Sequence, residues 1–190
     1  MENHSTRIIL ITGPKHSGKT SAGRVLAELL GASFVDLDEL IEQQSGKSPR
    51  ALYKEDPEVF RQAETRALAS LLSENIGGEP RVVAAGGGLI DNPEALELLQ
   101  QRNHSGAEVM TVYLEITADT AWERITKAAQ KTGELPPFLN TENPRETHAA
   151  LHKRRGAAYR EFASLTLSAE GKTSGDIGRE ITGRLKRKDI

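Results

Sequence analysis

Apolar residues along this chain follow two alternating rhythms. Arg7-Ile-Ile-Leu-Ile-Thr12 is an unbroken apolar, β-branched run, the pattern of a strand buried on both faces of a parallel sheet. Beyond a short polar break, Val25, Leu26, Leu29 and Leu30 recur at helical spacing. The exchange then repeats. Ser33–Asp36 reads as a short strand, and Pro57 as the first residue of a helix through Phe60, Ala63, Ala67, Leu68, Leu71 and Leu72. Arg81–Ala85 is a strand that runs into Gly86-Gly-Gly88, and Asn92-Pro93 caps and opens a helix with Ala95, Leu96, Leu98 and Leu99. Val109–Ile116 is a fourth strand, with Thr117 capping a helix that carries Trp122 and Ile125. A basic helix through Tyr159 and Phe162, a strand at Leu165–Leu167 and a helix striped by Ile177, Ile181 and Leu185 complete the series. Five strands joined by helical crossovers predict an α/β three-layer sandwich around a five-stranded parallel sheet. No repeat or linker interrupts it, so residues 1–190 read as one domain. Only residues 130–146, polar and without periodicity, break the pattern, and they read as a mobile lid.

The break after the first strand is Gly13-Pro-Lys-His-Ser-Gly-Lys-Thr20, a phosphate-binding loop pattern. Gly13 and Gly18 let the backbone curl so that successive N–H groups form an anion nest, and the following helix adds its positive dipole end. Pro14, Lys15, His16 and Ser17 complete the nucleotide-binding loop. Lys19 reaches the β- and γ-phosphates as a point charge, and the Thr20 hydroxyl suits Mg²⁺. Strand, loop and helix stand in register, so the expected ligand is a nucleoside triphosphate. His16 occupies a position where a side chain requires an unusual backbone dihedral.

Composition narrows the class. With 37% hydrophobic and 27% charged residues and a net charge of −2, the chain reads as globular with a polar surface and no nucleic-acid partner. The absence of cysteine removes disulfides, thiol nucleophiles and thiolate metal sites. The apolar run after Arg7 is too short for a signal-peptide core, and no stretch approaches the ~20 apolar residues that span a bilayer. The expectation is a cytoplasmic monomer with no membrane partner.

Three further groups carry candidate chemistry. Asp36-Leu-Asp38 ends the second strand. Two apart on an extended segment, its carboxylates would face one way, one near the metal and one near an acceptor hydroxyl. The same residues also read as an acidic turn capping the next helix. In Phe60-Arg61-Gln-Ala-Glu64, Arg61 and Glu64 share a helix face, offering a guanidinium fork steadied by a carboxylate or else an ordinary surface ion pair. Gly86-Gly-Gly88 follows a buried strand, where glycine permits a ligand to approach the backbone or simply makes a tight turn. No Asn-Lys-x-Asp stretch of the kind that selects guanine is present.

Together these residues resemble the shikimate kinase family of phosphate-loop proteins. The resemblance runs over the loop 13–20, Phe34-Val-Asp36-Leu-Asp38-Glu-Leu-Ile41-Glu42, Phe60-Arg61 with Glu64, Val82-Val-Ala-Ala-Gly86-Gly-Gly88, and Arg155-Gly-Ala-Ala-Tyr159-Arg-Glu161-Phe-Ala163. It implies ATP- and Mg²⁺-dependent phosphorylation of the 3-hydroxyl of shikimate. Asp38 would contact that hydroxyl, Arg61 and Arg155 would hold the carboxylate, and Gly86, Gly87 and Gly88 would line the substrate. Asp36 would sit near the metal with Thr20, and residues 38–72 would form the substrate-binding helical region. Arg155 is set apart from Lys153 and Arg154 only by its spacing to Tyr159. The chain departs from the family in its lid, where Pro136-Pro-Phe-Leu139 replaces Arg-Pro-Leu-Leu and so removes a cation. Lys127, Lys131 and Arg145 are the candidates to replace it. That loss leaves two alternatives open: a kinase of another hydroxy acid or polyol such as gluconate, or a non-catalytic nucleotide- or shikimate-binding descendant.

Overall fold

A computed structural model describes residues 8–73, 80–104 and 109–188. Five parallel strands form one sheet in the order β2-β3-β1-β4-β5. They are β1 Ile8–Thr12, β2 Ser33–Asp36, β3 Arg81–Ala84, β4 Val109–Glu115 and β5 Leu165–Ser168. β1 lies at the centre, with Ile8 in register with both Arg81 and Val109. The helices are α1 Lys19–Leu30, α2 Leu37–Ser45, α3 Pro49–Glu55, α4 Pro57–Ser73, α5 Pro93–His104, α6 Ala118–Thr132, α7 Pro144–Phe162 and α8 Ser174–Lys188.

The continuous apolar strands exist because both faces of the sheet are covered. Successive β1 side chains alternate between two cores. Ile8 and Leu10 join Leu37, Ile41, Leu68, Leu71, Val83 and Leu99 on one side. Ile9 and Ile11 join Leu26, Val82, Val112, Leu114, Ile177 and Ile181 on the other. This is the predicted three-layer sandwich. The caps read from sequence also form: Thr120 N–H donates to Thr117 Oγ1 (3.1 Å), and Ala95 N–H to Asn92 Oδ1 (3.3 Å). Along α1 the predicted stripe is narrower than expected, because Leu29 is 49% exposed and rests only in part on Gly178 of α8.

Two boundaries move. α6 continues to Thr132 and α7 begins at Pro144, so the segment read as a lid over 130–146 is confined to residues 133–143. Gly133, at φ 80°, ends α6 in the left-handed conformation that glycine tolerates, and Pro144 starts α7 without sacrificing an N–H donor. The region 38–72 resolves into α2, α3 and α4.

Candidate active site

The carboxyl ends of β1, β3 and β4 open onto one edge of the sheet, where parallel α/β folds hold ligands. A cavity of about 590 Å³ lies there, within the range for small-molecule sites. Its floor is the phosphate loop. Gly13 is required sterically, since a Cβ there would stand 2.5 Å from the Leu114 carbonyl oxygen. Gly18, at φ 95°, turns the chain into α1. His16 adopts φ 61°, a left-handed residue without glycine's freedom, as its position in the loop predicts. Two contacts brace this turn. Ser17 N–H donates to Pro14 O (3.1 Å), and Arg124 Nη1 reaches from α6 to His16 O (2.9 Å). Arg124 carries no motif and was invisible to sequence reasoning.

Lys19 is half-buried and donates to Pro14 O at 2.8 Å. Burial pulls its ammonium down to about 8, against the opposing pull of Asp38. Thr20 Oγ1 donates to Asp36 Oδ2 at 2.8 Å. A hydroxyl and a carboxylate oxygen side by side are hard donors of the kind Mg²⁺ takes, alongside water and phosphate oxygens.

The Asp36–Asp38 pair is a correction to the extended geometry. Asp36 caps α2, its Oδ1 accepting from Asp38 N–H (3.0 Å), and Asp38 lies in the first helical turn. The capping turn and the paired carboxylates are therefore the same structure, and both side chains line the cavity. Asp38 is open to the cavity yet crowded by protein, and this burial, with Asp36 beside it, raises its carboxyl above the usual range.

The Arg61–Glu64 pair does not form. Arg61 donates to Glu58 through Nε (2.9 Å) and Nη2 (2.6 Å), is 39% exposed and, unlike its neighbour Phe60, does not line the cavity. Glu64 turns inward and is 1% exposed, its Oε2 accepting from Asn92 Nδ2 at 2.9 Å. Its Oε1 is buried with no hydrogen-bond partner. Burial lifts the Glu64 carboxyl to about 7, an effect that Asn92 and Arg155 oppose and Asp38 reinforces. Asn92, read as a cap alone, is also a tie: its Nδ2 donates to Arg61 O (3.0 Å) as well as to Glu64.

The glycine run lies between these carboxyls and the loop. A Cβ on Gly86 would stand 3.5 Å from Asp38 Oδ1 and 3.7 Å from Glu64 Oε1. On Gly87 it would stand 2.7 Å from Gly13 O, so close approach of two backbones, rather than a tight turn alone, demands glycine. On Gly88 it would meet Arg155 Nη2 at 3.5 Å. Tyr159, fully buried and stacked on Tyr113 at 5.2 Å, accepts from Ile90 N–H (3.1 Å) and so pins the far end of this segment.

Arg155 lines the cavity beneath Phe138 of the lid, 5.6 Å from its ring, and donates through Nε to Asp91 Oδ2 at 2.8 Å. Asp91 also takes a two-pronged contact from Arg154 at 2.7 and 3.0 Å. It anchors the arginine and carries no signal in the sequence beyond following the glycines. The proposed lid cations fare differently. Lys127 and Lys131 are exposed and do not line the cavity, while Arg145 lies 3.5 Å from Asp119 on the surface. Pro136 is buried at the start of a 3₁₀ turn over residues Pro137–Leu139.

A sequence model described as shikimate kinase matches residues 15–186. The chain belongs to the shikimate kinase family. A shikimate kinase from Actinobacillus pleuropneumoniae serotype 5b is 35% identical over 92% of this chain and 93% of its own length. The solved shikimate kinase from Acinetobacter baumannii, in complex with shikimate, is 31% identical with a TM-score of 0.81, covering 98% of this chain and 97% of its own. A gluconokinase from Sinorhizobium meliloti 1021, 20% identical with a TM-score of 0.55, covers 96% of this chain and 93% of its own and shares the fold alone. Among the described residues no helix is long and apolar enough to cross a membrane.

Proposed function

We propose that this shikimate kinase family member transfers the γ-phosphoryl group of ATP to the 3-hydroxyl of shikimate. The observation that carries the reading is the convergence of the phosphate loop, Asp38, Gly86–Gly88 and Arg155 on one cavity. The loop amides and Lys19 hold the triphosphate, Lys19 leaving Pro14 O for phosphate oxygens. Thr20 and Asp36 would hold Mg²⁺, which when bound would offset charge on the triphosphate. Arg155, fixed by Asp91, receives the acid's carboxylate. Arg61 joins it by giving up Glu58, an exchange that costs little because an exposed ion pair is worth about 0.2–1 kcal/mol.

With both ligands held, the 3-hydroxyl oxygen attacks the γ-phosphorus, the bond to the β-phosphate oxygen breaks, and ADP leaves. The hydroxyl proton passes to Asp38. A raised carboxyl is suited to take that proton near neutral pH. Positioning and fixed charge supply most of the acceleration, and the lid limits access of water that would otherwise hydrolyse the γ-phosphate. One chain supplies every residue in this scheme, so a monomer suffices for it.

The test is ADP release from MgATP with shikimate, beside gluconate and no-acceptor controls. Shikimate-dependent turnover is expected. A preference for gluconate would replace the acceptor. MgATP binding with no turnover on any acceptor would make the chain a binding protein and remove Asp38 as a proton acceptor.

A further inference from the structure

Phosphoryl transfer spreads negative charge over three equatorial oxygens, and cations already in place lower its barrier. Four Lys or Arg side chains line the cavity: Lys15, Lys19, Arg50 and Arg155. Two are engaged away from the transfer point. Arg50 donates to Leu135 O (2.8 Å) and pairs with Glu134 (2.7 Å), joining α3 to the lid. Arg155 is held by Asp91 beside Gly88, at the acid end. Lys19 sits within the nest. Pro136 brings no charge, and Lys127, Lys131 and Arg145 lie elsewhere. Among the described residues Lys15 alone of the four has neither a hydrogen bond nor an ion pair.

Lys15 lines the same cavity as Lys19, Asp38 and Gly86–Gly88, with its side chain exposed to that space. Lys19, Asp38 and His16 all lie within electrostatic reach of its charge. The backbone on both sides is fixed, the Pro14 carbonyl by Ser17 N–H and Lys19, the His16 carbonyl by Arg124. The left-handed turn at His16 (φ 61°) is a cost the fold carries at this one non-glycine position among the described residues. A braced, strained turn that presents an unpaired cation is what a preorganised electrostatic site requires.

We propose that Lys15 is a second catalytic cation of the phosphate loop, its ammonium contacting the non-bridging oxygens of the phosphoryl group in flight between ATP and Asp38's hydroxyl partner. The inference rests on the kinase reading above. Lys15 acts by offsetting charge that is greatest in the transition state, so its removal acts on kcat more than on ATP affinity.

Lys15→Met and Lys15→Arg are compared with wild type by steady-state kinetics and by calorimetric MgATP binding, with Lys127→Met and Lys131→Met alongside. For Lys15→Met a kcat loss of about a hundredfold is expected, the scale of one missing oxyanion donor, with MgATP Kd within about threefold. Lys15→Arg should recover most of kcat, which a merely structural role for the side chain does not predict. The lid-side variants should stay within about twofold of wild type, being outside the cavity. A Lys15→Met enzyme with kcat near wild type, or one whose whole defect is in MgATP Kd, overturns the proposal. So does a large loss in either lid-side variant with Lys15→Met active. An inactive wild type instead removes the kinase reading, and this role with it.

Discussion

Replacing Glu64 by Gln should make the free protein more stable, by an amount that grows as pH rises from about 4.5 and is full above about 7. In the unfolded chain a glutamate loses its proton near its ordinary 4.5, whereas burial holds the native carboxyl to about 7. Between those values the native state binds the extra proton, so stability falls as pH rises through the window and the loss is complete above about 7. At 1.36 kcal/mol per pH unit, the difference between 4.5 and about 7 is worth about 3 kcal/mol. Gln keeps an acceptor for Asn92 Nδ2 and never ionises. Wild type and E64Q should therefore differ by about 1 kcal/mol or less near pH 5 and by about 3 kcal/mol at pH 8, the latter about 6–12 °C in Tm at this chain length. Urea unfolding of both proteins without ligands, followed by circular dichroism at the two pH values, measures this directly. An equal difference at pH 5 and pH 8 would falsify the reasoning, because Glu64 would then be ionised throughout, its charge already balanced by Arg155.

Other outcomes follow from the same geometry. Asp38→Asn should reduce kcat at least a hundredfold, typical of a lost general base, with MgATP Kd little changed; more than a tenth of wild-type turnover removes Asp38 as the proton acceptor. Arg61→Ala should raise KM for shikimate about tenfold or more, and Glu58→Ala should lower it by at most about fivefold, the worth of an exposed ion pair. Unchanged KM in both variants would leave Arg61 as Glu58's surface partner and nothing more. Gly87→Ala forces a Cβ to within 2.7 Å of Gly13 O, a backbone atom with no rotamer to yield. It should cost about 1–3 kcal/mol in unfolding free energy and weaken MgATP binding together, and a variant that loses neither shows that the two loops move apart freely.

The sheet was legible because a buried parallel strand leaves an unmistakable mark. Ile8–Thr12 and Val109–Leu114 are apolar at every position but Thr12 and Thr111, and both threonines are buried as well. The short edge strands were legible for a different reason. Ser33–Asp36 and Leu165–Ser168 are half exposed, so their periodicity is weak, and their place between strong helical signals identified them. The loop 13–20 was legible because its function lies in the backbone, whose curl demands glycine at fixed spacing. Asp91, Asn92 and Arg124 act through side chains that meet partners 28 to 108 residues away. No local pattern encodes such contacts.

Arg61 shows where a local rule fails for a definable reason. On a helix, residues three before and three after a given position both approach it, yet at 3.6 residues per turn they lie about 120° apart around the axis. Glu58 and Glu64 are therefore equal partners for Arg61 by spacing and opposite ones by burial. α4 turns Ala63, Ala67, Leu68 and Leu71 into the core, and Glu64 goes in with them. A guanidinium following it would lose its hydration for one shared carboxylate, whereas Glu58 offers the same contact in water. The exposed pair wins, and Glu64 is left with Asn92 and an uncommitted oxygen facing Gly86. What spacing presented as one ion pair is thus two separate devices: an exposed arginine held by a weak contact it can exchange, and a buried acid whose cost to stability the fold tolerates beside Gly86.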